Sequence, residues 1–260
     1  MTTTSLNTPR IALVGHTGRM GAMLDAAWSA AGYTVTGIAC APGDKPELGP
    51  LSAADAVVLA VPVSALCEVM GRISPFLHSS QLLMDITSVK VLPMLIMQEF
   101  HSGPVIGSHP LFGPASPSPA YGKRSVLVAG RHAAAAHRDM AEALFEALGS
   151  SVSWATAREH DHGVAFAQSL NFAMSTAFFA TIARHPECLP FLTPSFTRHK
   201  EAARKHLTLD RSMFCEFTAH NPCFSTAVAE YRLALREALS GLPALSEEAA
   251  VWYATEGRLP

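Results

Sequence analysis

Charge is scarce in this 260-residue chain: Asp, Glu, Lys and Arg make up 15% of it, and 19 basic against 21 acidic residues leave a net charge of -2. No long run of one sign occurs, which disfavours broad binding to nucleic acid or an anionic membrane. Paired cysteines are missing too. Cys40, Cys67, Cys188, Cys215 and Cys223 form an odd set with no C-x-x-C, arguing against a zinc knuckle and a disulfide framework. They read as reduced, mostly buried thiols. The longest uncharged apolar run, Ala56 to Cys67, is broken by Pro62 and falls short of the roughly 20 residues a membrane-spanning helix needs. The opening MTTTSLNTPR lacks the apolar stretch of a secretory signal, so the cytoplasm is the expected compartment.

What is present is apolar: 49% of the residues are hydrophobic, enough for a core without staples. The first half alternates short apolar runs with helical stretches, the pattern of an α/β doubly wound sheet of parallel strands joined by crossover helices. Strands are expected at Arg10 to Val14, Thr34 to Ala39, Ala56 to Val61, Leu82 to Ile86, Val105 to Gly107 and Ser125 to Ala129. Between Pro110 and Lys123 four prolines exclude regular structure; an ordered loop over a site is expected, a flexible linker being the alternative.

From Glu159 onward the strand pattern disappears, which divides the chain into an α/β domain at 1–156 and an all-helical domain at 157–260. Phe166, Leu170, Met174, Phe178 and Ile182 form one apolar stripe, with Ala165, Phe172 and Phe179 on another side. A helix apolar on two faces is expected to be buried, inside the domain or across a dimer seam. At 100° per residue His160, Gln168, Asn171 and Ser175 fall in an arc of roughly 80°, lining a pocket or facing solvent.

Directly after the first strand stands Gly15-His16-Thr17-Gly18-Arg19-Met20-Gly21, followed by the helix Ala22 to Ala31. Strand, glycine turn and helix are the context of a dinucleotide site: Gly18 admits the pyrophosphate, Gly21 lets helix and strand pack closely, and the helix start offers free N–H groups. His16 stands where the first glycine of G-x-G-x-x-G would fall, and the second strand ends in Ala39-Cys40-Ala41 without an acid for the ribose. Asp44 or Lys45 are the candidates there, so the choice between NAD and NADP stays open.

Two later segments sit where ligands bind in open α/β sheets. Asp85-Ile86-Thr87-Ser88-Val89-Lys90 is a candidate site or merely a helix cap with a solvated lysine. In Gly107-Ser108-His109-Pro110-Leu111-Phe112-Gly113-Pro114 a histidine ends a buried strand, where it can serve as a base near neutral pH.

With these residues in view the chain resembles the prephenate dehydrogenases, oxidoreductases of tyrosine biosynthesis. The likeness rests on G-x-M-G at Gly18 to Gly21, AVPV at Ala60 to Val63, the two segments just named, and Glu159-His160-Asp161 followed by Gln168-Ser169-Leu170. It implies a Rossmann-like domain followed by a helical dimerisation domain, a homodimer, and an active site in the cleft between the domains. Gly15 to Gly21 with Val61 and Pro62 would hold the cofactor, NAD being favoured over NADP. His109 would take the proton of the substrate's C4 hydroxyl as hydride leaves, and Ser88 would orient that histidine and the substrate. His160 and Gln168 would line the cleft. Arg204 or Lys205, in the basic segment Arg198, Lys200, Arg204, Lys205, would grip a carboxylate; that segment is equally readable as a solvated helix face. Where the family has a histidine shortly after Q-x-L, this chain has Asn171 and Phe172. No added regulatory domain is expected after Trp252 and Tyr253.

Prephenate is the expected substrate and its transaminated relative arogenate the alternative, since no acid for an ammonium is identifiable. Two other readings remain. G-x-x-G-R-M-G is also similar to dihydrodipicolinate reductases, but their paired histidines have no counterpart here. A non-catalytic descendant that binds a nucleotide or aromatic acid is the third.

Overall fold

The computed structural model describes residues 8–40, 47–114 and 122–255; Asp44, Lys45 and most of the proline-rich segment lie outside them. The chain divides into two compact units, Met1–His160 and Asp161–Pro260.

The first unit is built on one sheet in the order β2-β1-β3-β4-β5-β6-β7. Its strands are β1 Arg10–Val14, β2 Thr34–Ile38, β3 Ala56–Leu59, β4 Leu82–Asp85, β5 Val105–Pro110, β6 Lys123–Ala129 and β7 Ser150–Trp154. Successive side chains point to opposite faces, and both faces are covered. Ile11 and Leu13 of β1 pack with Leu24 and Trp28 of α1 (Arg19–Ala30) and with Leu144 and Phe145 of α4 (Ala135–Glu146). Ala12 and Val14 pack with Leu66 and Met70 of α2 (Leu66–Ile73) and with Met94 and Met97 of α3 (Val91–Phe100). Trp28 is fully buried, and its Nε1 donates to the Leu144 carbonyl at 2.7 Å, satisfying the one polar atom that its burial would otherwise strand.

The doubly wound α/β class is as expected, with two corrections in the sheet. β6 runs antiparallel to β5, pairing His109 with Val126. Parallel neighbours need a crossover, usually helical, and the proline-rich segment between these strands does not supply one among the described residues. β7 was not expected. Its sequence, SSVSW, carries three serines and lies at the sheet edge, where one flank and alternate side chains face solvent.

In the second unit the described residues form helices and no strand. α5 (Ala157–Val164) leads into it, a π-helical segment Ala165–Leu170 follows, and α6 is Asn171–Ala183. α7 (Pro194–Arg204) begins with Thr193 Oγ1 accepting from Phe196 N and runs into a second π-helical segment, Lys205–Leu209. α8 (Arg211–Ala219) and α9 (Phe224–Thr255) complete it, α9 kinking at Gly241 (φ -150°, ψ 44°), two residues before Pro243.

The first π segment changes the phase of the helix, so uniform 100° steps across it fail. Asn171 is exposed while Ser175 is buried, and the expected polar strip does not share one environment. The doubly apolar helix is also not buried within the chain: Phe178 is 42% exposed. None of the five free cysteines is buried, contrary to expectation, because helix phase turns Cys67 and Cys215 outward. No helix among the described residues is long and apolar enough to cross a membrane.

Candidate active site

Strands β1, β3, β4 and β5 run parallel, so their carboxyl ends share one edge of the sheet. There the first unit gathers its candidate residues: the Gly15 turn after β1, Val61 and Pro62 after β3, Ser88 after β4, and His109 near the end of β5.

In the glycine turn the left-handed residue is Gly15, with φ +85°. A Cβ there would stand 2.5 Å from the Ala60 carbonyl oxygen, so Gly15 supplies the tight turn one position earlier than the fingerprint has it. A Cβ on Gly21 would collide with the Gly15 carbonyl and the His16 backbone, which makes Gly21 the residue that lets α1 approach β1. His16 fits at a glycine position because β2 carries Gly37 opposite it, where any Cβ would strike the imidazole. Thr17, Gly18 and Arg19 are exposed, Met20 packs into the core, and no side chain caps the first turn of α1. Helix-start amides with no side-chain cap, at the exposed Gly18 that lacks a Cβ, fit a pyrophosphate.

At the ends of β4 and β5 lies a buried polar network. Lys90, fully buried, donates from Nζ to Asp85 Oδ2 at 2.5 Å and to the carbonyl of Ser108 at 2.7 Å. Thr87 donates to the same carboxylate oxygen from its N at 2.9 Å and its Oγ1 at 2.5 Å. Ser108 Oγ donates to the Asp85 carbonyl. The solvated-lysine reading is thereby overturned, and the network fastens the backbone immediately before His109.

His109 is 4% exposed, and its Nδ1 lies 2.9 Å from Nε2 of His160, itself buried. Burial foremost, then repulsion from His160 and from the Lys90 ammonium, hold the His109 pKa well below the ordinary histidine value. Its ring is therefore neutral near pH 7. Ser88 is half-buried and makes no hydrogen bond to His109, whose imidazole instead has His160 within hydrogen-bond distance. Fifty-one positions separate the two histidines, and no local pattern announces such a pair.

Gln168, Arg204 and Lys205 lie in the second unit. Gln168 is half-buried in the first π segment; Arg204 and Lys205 are exposed at the start of the second. Arg204 lines a pocket of about 420 Å³ with Lys200, Glu201, Phe179, Leu207 and Thr208. Arg198 instead donates to Ser195 Oγ on its own helix. Glu201, not singled out in the sequence, puts a carboxylate beside those cations.

Residues 36–136 match the family model described as prephenate dehydrogenase, nucleotide-binding domain. The T-protein of Haemophilus influenzae is 29% identical over 181 residues, which are 68% of this chain and 46% of that protein. The chain thus spans less than half the length of this curated relative. Among solved structures, arogenate dehydrogenase of Synechocystis superposes with a TM-score of 0.78 at 18% identity, covering 96% of this chain and 99% of that one. Prephenate dehydrogenase of A. aeolicus, solved with hydroxyphenyl propionate and NAD+, gives 0.75 at 18% identity, covering 98% and 97%. At such identity the likeness is one of fold. The matched segment is similar to the nucleotide-binding domain of prephenate dehydrogenases, and the likeness of fold to dehydrogenases acting on prephenate and arogenate extends over nearly the whole chain.

Proposed function

We propose that the protein oxidatively decarboxylates prephenate to 4-hydroxyphenylpyruvate, passing hydride to NAD. The observation that carries this reading is the convergence, on one edge of parallel strands, of a phosphate-cradling turn and a buried neutral imidazole.

Gly15, His16, Thr17, Gly18, Arg19, Met20 and Gly21, with Val61 and Pro62, are the proposed cofactor contacts. Bound there, NAD supplies a hydride acceptor. Its use in the A. aeolicus structure supports NAD over NADP. His109 carries its own proton on Nδ1, donates it toward His160 Nε2, and so keeps Nε2 as the base. As the C4 hydrogen leaves as hydride, the hydroxyl proton passes to His109 Nε2. The bond from the ring to its carboxylate then breaks, its electron pair enters the ring, and carbon dioxide departs. The ring becomes aromatic, and His109 returns the proton to the phenolate oxygen, so no net proton is released. Ser88, His160, Gln168, Arg204 and Lys205 are the proposed substrate contacts, the cations serving its two carboxylates.

A second reading, arogenate as substrate, is favoured by Glu201, an acid for an ammonium group beside Arg204. Purified protein mixed with prephenate or arogenate, each with NAD and with NADP, separates these readings by the absorbance of reduced cofactor. Binding of both ligands without reduction would instead identify a non-catalytic descendant. We further propose a homodimer formed through the helical unit, supported by Phe191 at 81% and Leu239 at 86% exposed. Analytical ultracentrifugation at micromolar concentration tests it, and a monomer refutes it.

A further inference from the structure

The helical unit holds a histidine that the reaction above does not use. His206 lies in the π-helical segment Lys205–Leu209 and is 9% exposed. Its ring stands among aromatics, with centroids 6.4 Å from Phe172 and 5.4 Å from Phe214. Its Nε2 is buried without a hydrogen-bond partner. A phenylalanine would fill the same place at no polar cost, whereas a stranded imidazole nitrogen is destabilising.

The neighbouring elements repeat the pattern. Ser169 Oγ, in the other π-helical segment, and Thr218 Oγ1, on α8, are likewise buried without partners. α8 packs against both π segments. Phe172 follows Gln168 by four residues, and His206 follows Lys205 directly, so the imidazole lies beside both stretches that carry the proposed substrate contacts of this unit. Unpaired polar atoms and π-turns both concentrate at functional sites. Burial first, then Lys205 and His199, lower the pKa of His206, which keeps the ring neutral.

We propose that His206 is a substrate-binding residue, its Nε2–H donating to a carboxylate oxygen of the cyclic acid whose charge Lys205 balances. This inference rests on the dehydrogenase reading above. Neutral imidazole and cation divide the work: the imidazole fixes the direction of the oxygen, the ammonium its charge.

His206→Phe keeps a ring in the aromatic cluster and deletes only the nitrogens. It is expected to raise KM for prephenate about tenfold, the worth of one hydrogen bond to an anion. KM for NAD should stay unchanged and the thermal midpoint should rise. His206→Gln, whose amide can donate from a similar place, should restore part of the loss. An unchanged KM for prephenate in a folded His206→Phe overturns the proposal. Should that variant fail to fold, nitrogen-15 NMR of the wild-type histidines titrated with prephenate in the absence of NAD decides: movement of His206 Nε2 supports the contact, and invariance overturns it. A wild-type protein that reduces no cofactor with either acid overturns the dehydrogenase reading itself, a different outcome from an active wild type beside an equally active His206→Phe.

Discussion

A buried histidine becomes a useful base only if it is neutral and its ring is held, and the neighbours of the proposed base, His109, bear on both conditions. Burial, His160 and Lys90 keep it neutral, while the His160 contact fixes its Nδ1. His109→Asn should lower kcat roughly 10²–10⁴-fold, the usual worth of a general base. NAD affinity by calorimetry should not change; an active variant would remove His109 from its role. His160→Phe deletes the orienting contact and one cause of the lowered pKa. The expected outcome is a smaller kcat, with the acid limb of the kcat/KM profile moved to higher pH, because a lowering influence on the base is gone. An unmoved limb would show that His160 does not face the working base.

At the scale of elements, the ends of β4 and β5 are joined by the Lys90–Asp85 pair and its bonds to Thr87 and Ser108. Removing one member of a fully buried ion pair strands the other charge. Lys90→Met should therefore cost about 3–5 kcal/mol in urea unfolding, and replacing Asp85 by Leu in the same chain should recover much of it. Failure of the double variant to recover would mean that the Ser108 carbonyl, rather than the carboxylate, sets the cost. The sequence made Asp85 to Lys90 conspicuous but not its burial, since a lysine before a helix is ordinarily solvated. The glycine turn was legible because it is local: strand, turn and helix follow within one stretch.

Over the whole molecule, His101, His109 and His206 all titrate below the ordinary histidine value, each chiefly through burial. Once unfolded they regain that value, so below about pH 6.5 the unfolded chain binds more protons than the folded one. Stability should be greatest above that pH and fall as pH drops toward the folded-state values, by up to about 1.4 kcal/mol per pH unit for each such histidine. Urea midpoints taken between about pH 7 and pH 5 check this; a flat profile would show that these rings are open to water.

The amino-acid sequence by itself determined the elements whose signal is written in neighbouring residues. β1, β3 and β4 are short apolar runs between turns, and the turn after β1 needs residues without side chains at Gly15 and Gly21. Tertiary structure alone decided the direction of β6, the existence of the serine-rich β7, the burial of Lys90 and the pairing of His109 with His160. Each depends on which distant segment lies alongside, and the free energy of such a contact resides in neither partner's local pattern.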